Sequence, residues 1–141
     1  MNALKKLLLL WLLLPLWAGC CPVDEPDEAP YRVVTQVDVL YESDAMQFRR
    51  QYFREESIRQ VVDYLRFIDP YGTPKEDPEQ LNDRKYEITV TYSDGSQHQY
   101  QQRSDRYFRI GNGPWQCIDP QRALYLSGIL GMMPGEIPLQ E

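Results

Sequence analysis

One histidine, His98, serves the whole 141-residue chain, and that count limits the chemistry more than any other. A Ser-His-Asp or Cys-His relay needs an imidazole as its general base, so it would have to run through His98. That residue sits mid-strand beside a hairpin, between Gln97 and Gln99, where a packed or solvated side chain is the ordinary outcome. A zinc site needs several Cys or His ligands, and Cys117 with His98 alone does not supply them. Carboxylates are plentiful, and by residue type they permit a two-acid hydrolase. Glu55 and Glu56, Asp69, Asp77 and Glu79 are the dense positions. They fall at a helix start and in a proline-rich connection, where acids serve capping and solubility. Asp69-Pro70-Tyr71-Gly72 does not continue as a calcium loop, which needs alternating oxygen ligands and a terminal glutamate. No glycine-rich phosphate loop or dinucleotide fingerprint occurs. The reading is therefore of a non-enzymatic chain with no catalytic residue, no cofactor and no metal ligand.

Binding chemistry is better represented. The chain has ten tyrosines, and Trp115 is the one tryptophan outside the amino-terminal apolar run. Arg103, Arg106, Tyr107, Arg109 and Trp115 cluster in sequence around the final hairpin, and arginine, tyrosine and tryptophan are the types enriched in contact hot spots. One reading makes them a patch for a protein or glycan partner. The other has Phe108, Ile110 and Trp115 filling the core while Tyr107 and the arginines cover the sheet. Residues 70–84 form a long connection of a length often functional. They are the candidate for a second function, that of a secreted inhibitor presenting this loop to an enzyme.

The amino terminus says where such a domain works. Lys5 and Lys6 precede an apolar run from Leu7 to Ala18. A bilayer-spanning helix needs about 20 apolar residues, so the shorter run after a positive start reads as an export signal over residues 1–19. It ends in Ala18-Gly19-Cys20-Cys21, small residues followed by a cysteine, as at a lipidation site. Cys20 is the expected acylated residue and Cys21 the alternative, because Trp17 stands where an aliphatic residue is usual. An ordinary secretory peptide cleaved near Ala18 is the other reading. Residues 22–30, rich in proline and acid, cannot build a core and suit a solvated tether. Several acyl chains on one cysteine would anchor such a tether stably. The expected location is the outer side of the cell membrane, with secretion as the alternative.

Charge narrows the partners. The net charge is −6, and loss of Lys5 and Lys6 with the signal would make it more negative. That balance argues against nucleic acid and against electrostatic docking on anionic lipid. The chain beyond the tether is long enough for one core, expected over residues 31–134 with a tail at 135–141. Three cysteines do not make a disulfide scaffold; Cys117 reads as a buried, reduced, small apolar side chain, with pairing to Cys21 as the alternative.

Periodicity defines the elements that must position these residues. Val33, Val37, Val39 and Tyr41 alternate with Gln36 and Asp38, which predicts a strand over 31–41. Glu42 to Ala45 is the expected turn, and Met46, Phe48 and Tyr52 predict a partner strand. Ile58, Val61, Val62, Leu65 and Ile68 repeat at helical spacing. Ser57 with Gln60 would cap that helix as a capping box, and Asp69-Pro70 would end it. Asp77-Pro78 suggests one helical turn within the 70–84 connection. Tyr86, Ile88, Val90 and Tyr92 predict the next strand. A three-residue Ser93-Asp94-Gly95 loop, with Gly95 left-handed, pairs Ile88 with Tyr100 and Val90 with His98. Strands are expected at 106–110 and 115–118. A helix is expected from Asp119-Pro120, with Ala123, Leu126, Ile129 and Leu130 as its stripe and Gly131 as its end. The fold class is α+β: a single antiparallel sheet of five to six strands, in the order two strands, helix, meander, helix, with both helices on one face.

In three features together, the chain resembles a class of small uncharacterised lipoproteins of Gram-positive bacteria. These are the cysteine-ended signal, the acidic proline tether, and the run Tyr86-Glu87-Ile88-Thr89-Val90-Thr91-Tyr92-Ser93-Asp94-Gly95-Ser96 followed by Arg106-Tyr107-Phe108-Arg109-Ile110 and Gly113-Pro114-Trp115. The resemblance implies no activity and assigns no site residues. It implies a membrane partner through an amino-terminal lipid, and a protein or glycan of the envelope as a further one.

Overall fold

The computed structural model describes residues 32–136; the signal, both cysteines of its end and the tether lie outside them. Strands β1 (Val34–Glu42) and β2 (Gln47–Tyr52) come first, then helix α1 (Glu55–Phe67) and a 3₁₀ turn at Pro78–Gln80. Strands β3 (Lys85–Tyr92), β4 (Gln97–Arg103), β5 (Tyr107–Ile110) and β6 (Gln116–Cys117) come next, and α2 (Pro120–Met132) closes the described chain. All six strands form one antiparallel sheet in the order β2-β1-β3-β4-β5-β6. The α+β class and its single sheet stand as the sequence implies.

Side-chain alternation explains which face is covered. Val37 faces Val90, Val39 faces Ile88 and Tyr41 faces Tyr86 across the β1–β3 ladder. Val37, Val39, Ile88, Val90 and Tyr86, with Tyr52 and Phe108, join Ile58, Val61 and Tyr64 of α1 and Ala123, Leu126 and Leu130 of α2 in one buried cluster, and partly buried Tyr41 packs against it. Both helices therefore lie on one face. The β3–β4 hairpin has the expected register, Ile88 against Tyr100 and Val90 against His98. Gly95 sits at φ 81°, a backbone region that side-chain-bearing residues avoid.

Several boundaries differ from the sequence reading, each for a local reason. Val33 is exposed while Val34 packs on the core. A bulge between Val34 and Gln36 shifts the alternation by one residue. The first turn spans Ser43 to Met46, closed by the Ser43 amide donating to Met46 O at 2.9 Å, and Met46 is exposed rather than inward. Helix α1 starts at Glu55 and ends at Phe67, because Ile68 already turns extended with ψ 129°. Helix α2 does not stop at Gly131. It runs to Met132 and ends at Met133, which takes extended geometry (ψ 97°) because Pro134 comes directly after it.

The expected capping box does not form: Arg54 occupies the N-cap of α1 without a side-chain bond. Glu136 does that work instead. Its carboxylate accepts from the amides of Phe53 at 2.7 Å and Arg54 at 2.8 Å and from the Ser57 hydroxyl. The Glu136 amide in turn donates to Gln51 O at 2.8 Å, so a residue sequence-distant from α1 supplies the acceptor its first turn lacks. At α2, by contrast, Asp119 Oδ1 accepts from the Gln121 amide at 2.9 Å, as Asp-Pro predicts.

Candidate functional site

The five candidate contact residues do meet in space. On β4, β5 and β6, strand pairing places Gln101, Arg103, Tyr107, Arg109 and Cys117 on the sheet face away from the helices. Residues 70–84 cross that face as a strap. The strap begins at Tyr71, whose amide and carbonyl pair with Cys117 at 2.8 and 2.9 Å, a single bridge that extends the β6 edge. Asp77 Oδ1 accepts from the Glu79 amide at 3.0 Å, and Pro78 is buried beneath the turn. Asp77 as cap and Pro78 at the first position are as the sequence suggests.

The strap turn aims two carboxylates down onto the sheet. Glu79 lies 2.9 Å from Arg103 Nη2 through one oxygen and 2.9 Å from Arg109 Nη2 through the other. The Trp115 indole N–H donates to Glu79 Oε1 at 3.1 Å. Arg109 also stacks over the Trp115 ring, 4.5 Å from its centre, and is held by Gln101 Oε1 at 2.9 Å and 2.7 Å. Glu76 accepts from the Tyr107 hydroxyl at 2.5 Å and lies 3.3 Å from Arg106 Nη1. Donating to the Glu76 carboxylate, with burial second, holds the Tyr107 phenol above its ordinary range. Thus neither of the two readings of the cluster is complete. Tyr107 is buried, yet by the strap and not by the core. Phe108 fills the core, while Ile110 is exposed and Trp115 lies on the outer face.

Chemically, this arrangement can hold a carboxylate. Planar guanidiniums and an indole N–H present several donors to one anionic group, with aromatic faces beneath the cations. The occupant in this structure is the chain's own Glu79. Sequence reasoning found the arginines and the strap separately but not their union. The signal that could have joined them was two acids three residues apart, Glu76 and Glu79, in a connection long enough to fold back.

A second polar cluster lies under the helices. Gln102 is fully buried; it accepts from the Tyr64 hydroxyl and its amide nitrogen reaches Asp105 Oδ1 at 3.4 Å. Arg84 pairs with Asp105 Oδ2 at 2.7 Å, without the alignment of a hydrogen bond, and Ser104 Oγ has no partner among the described residues. Burial pushes the Asp105 carboxyl up, and the Arg84 charge and Gln102 only partly offset this. Burial also drives the Tyr64 phenol far above its ordinary value. Ser104 and Asp105 both hold positive φ, 54° and 50°, a conformation that costs side-chain-bearing residues roughly 1–2 kcal/mol each.

The remaining candidates stay apart. His98 is exposed, its Nδ1 3.3 Å from the Tyr92 hydroxyl. Glu55 pairs with Arg59 one turn on at 2.5 Å. Among the described residues, no group of three His, Cys, Asp or Glu side chains is arranged to hold a metal ion, and no helix is long and apolar enough to cross a membrane. Cys117 is a free, half-buried thiol; Cys20 and Cys21 lie outside the described residues. Comparison with protein-family models, with curated proteins and with solved structures finds no match to this chain.

Proposed function

We propose that the chain is an exported, lipid-anchored domain on the outer side of the cell membrane that acts by binding, not by catalysis, and that its strapped sheet end recognises a carboxylate on an envelope protein or glycan. The convergence of Arg103, Arg109 and Trp115 on one carboxylate carries this reading. In a chain of net charge −6, three arginines gather on this face and pair with Glu76 and Glu79. Glu79 then acts as a place-holder that an incoming acid replaces. Export and anchoring rest on the positive start, the short apolar run, the small residues before Cys20 and the acidic tether, and the resemblance to small lipoproteins of Gram-positive bacteria agrees with them.

The inhibitor reading would have the 70–84 loop project toward an enzyme. Its attachment through Tyr71, Glu76 and Glu79 supports a cover over the sheet instead. For a two-acid hydrolase, two of Glu55, Glu56, Asp69, Asp77 and Glu79 would need to face a substrate, but Glu55 pairs with Arg59 and Glu79 with Arg103 and Arg109.

The test uses the full chain expressed in a Gram-positive host with a photo-cross-linking residue at exposed Asn112, beside Trp115. The expected result is a membrane-bound protein carrying lipid mass, released by Cys20→Ala. Illumination should give a heavier adduct that disappears when Arg103 and Arg109 are both changed to Gln. Absence of lipid mass would overturn the anchor. Absence of an adduct, or one indifferent to the arginines, would overturn the binding site.

A further inference from the structure

The far side of the helix layer has the opposite character to the strapped face. From Ala123 to Gly135 the chain carries no charged residue, although charged residues make up 26% of the whole. Ala123, Leu126 and Leu130 use the inner side of α2 for the core. The outer side leaves Leu124 50%, Tyr125 68% and Met132 75% exposed, and Phe67 of α1 joins them at 74%. Between the helices lies a groove of about 510 Å³ with Tyr64, Phe67, Tyr125 and Ile129 in its lining; Asp63 stands on the α1 wall and Arg122 on the α2 wall.

We infer that this face docks a second copy of the chain, α2 against α2 about a two-fold axis. Charge selects that occupant. A two-fold operation brings a surface onto itself, which is unfavourable wherever a strongly acidic chain presents its acids. The outer face of α2 is the uncharged stretch, so two copies meet there without opposing like charges. The rim is self-complementary as well, because the operation that joins two grooves can turn Arg122 of one copy toward Asp63 of the other. An anionic lipid surface would instead call for a ring of basic residues, and Arg122 is the one basic residue lining this groove.

Area is consistent with such a contact. Aromatic side chains cover roughly 150–250 Å² each, so Phe67 and Tyr125, largely exposed, offer about 300 Å², to which Leu124 and Met132 add, of the roughly 800 Å² per partner that a standard interface uses. They would form its apolar centre. Gly128 fits the same arrangement. It lies within α2, where glycine costs about 1 kcal/mol relative to alanine, and a Cβ there would meet nothing within 4 Å in one copy. A backbone approaching from a second copy accounts for its small size.

This inference stands apart from the proposed carboxylate site, since the two lie on opposite faces of the sheet. The experiment again uses the full chain in a Gram-positive host, with the photo-cross-linking residue now at Tyr125 and, as control, at exposed Gln99. Illumination should give an adduct of twice the protomer mass from position 125 and none from 99. Gly128→Arg, which nothing in one copy obstructs, should cut the adduct at least tenfold while the chain keeps a cooperative thermal melt. An adduct with lipid or with a protein of different mass, no adduct at 125, or a dimer adduct equally strong with Gly128→Arg would each overturn the inference.

Discussion

The sheet is covered on both faces, and the two covers are held by different forces. On the inner face α1 and α2 close over Val39, Ile88 and Phe108 with almost no exposure, a non-directional attachment that ions do not screen. On the outer face at the β4–β6 end, the strap is held chiefly by Glu76 and Glu79 reaching three arginines, Tyr107 and Trp115. Such contacts are directional, half exposed and screened by ions. The apolar cover is part of the core, whereas the polar one rests mainly on charged and hydrogen-bonded side chains.

Adjacent residues of β5 give the strongest way to break this contrast. Phe108→Ala should lower unfolding stability by about 3–5 kcal/mol through loss of buried contacts and a residual cavity. Arg109→Ala, at the next position on the opposite face, should cost less than about 1 kcal/mol. Denaturant titration of both variants reads the difference, and equal losses would erase the distinction between the two covers.

Titration sharpens the contrast within the helix layer. Partial burial pushes the Glu136 carboxyl up, but bonds from Ser57, Arg54 and Phe53 outweigh it, and the group rests below its ordinary range. Its stabilising contribution is therefore present above the ordinary carboxylate range and is lost as pH falls through the lower folded value. Glu136→Gln should cost about 1 kcal/mol near neutral pH, as for loss of a helix cap, and the gap to the parent should close on acidification. Asp105 has the opposite sign. Its raised carboxyl favours the folded state below the ordinary carboxylate range, and that contribution is lost as pH rises through the folded value. Melting profiles of Asp105→Asn should accordingly lack this component. A constant gap for Glu136→Gln at every pH would remove Glu136 from its capping role.

The smallest effect concerns the β4–β5 turn. Ser104 holds φ 54° with an unpartnered hydroxyl, so Ser104→Gly removes strain and no bond. The gain should be about 1 kcal/mol, measured as a raised thermal midpoint. A loss would show that the serine makes a contact of its own.

What the sequence revealed and what it hid divide along the same physical line. Local chemistry was legible. Gly95 set the β3–β4 register, Asp119-Pro120 set the start of α2, and Asp77-Pro78 set the strap turn. Contacts between residues far apart in sequence were not. Glu136 caps a helix that begins some 80 positions earlier, and no periodicity points to it. Tyr64 joins the core and reaches Gln102, although the apolar stripe of α1 is complete without it. The bulge near Val34 shifted one strand face because nothing local marks it. Most relevant to function, Arg103 and Arg109 looked free because their partner Glu79 lies in a connection whose path periodicity does not describe.

Carboxylates are the chief hold on the strap, beside buried Pro78 and the Tyr71–Cys117 bridge. Backbone hydrogen exchange at Gln80 and Leu81, whose amides close the strap turn on Asp77 O and Pro78 O, tests this directly in the parent and in Glu79→Ala. Exchange at least tenfold faster is expected at these two amides in the variant, with rates in β3 and α1 unchanged within about twofold, consistent with about 1.4 kcal/mol per factor of ten. Unchanged exchange at Gln80 and Leu81 would contradict it.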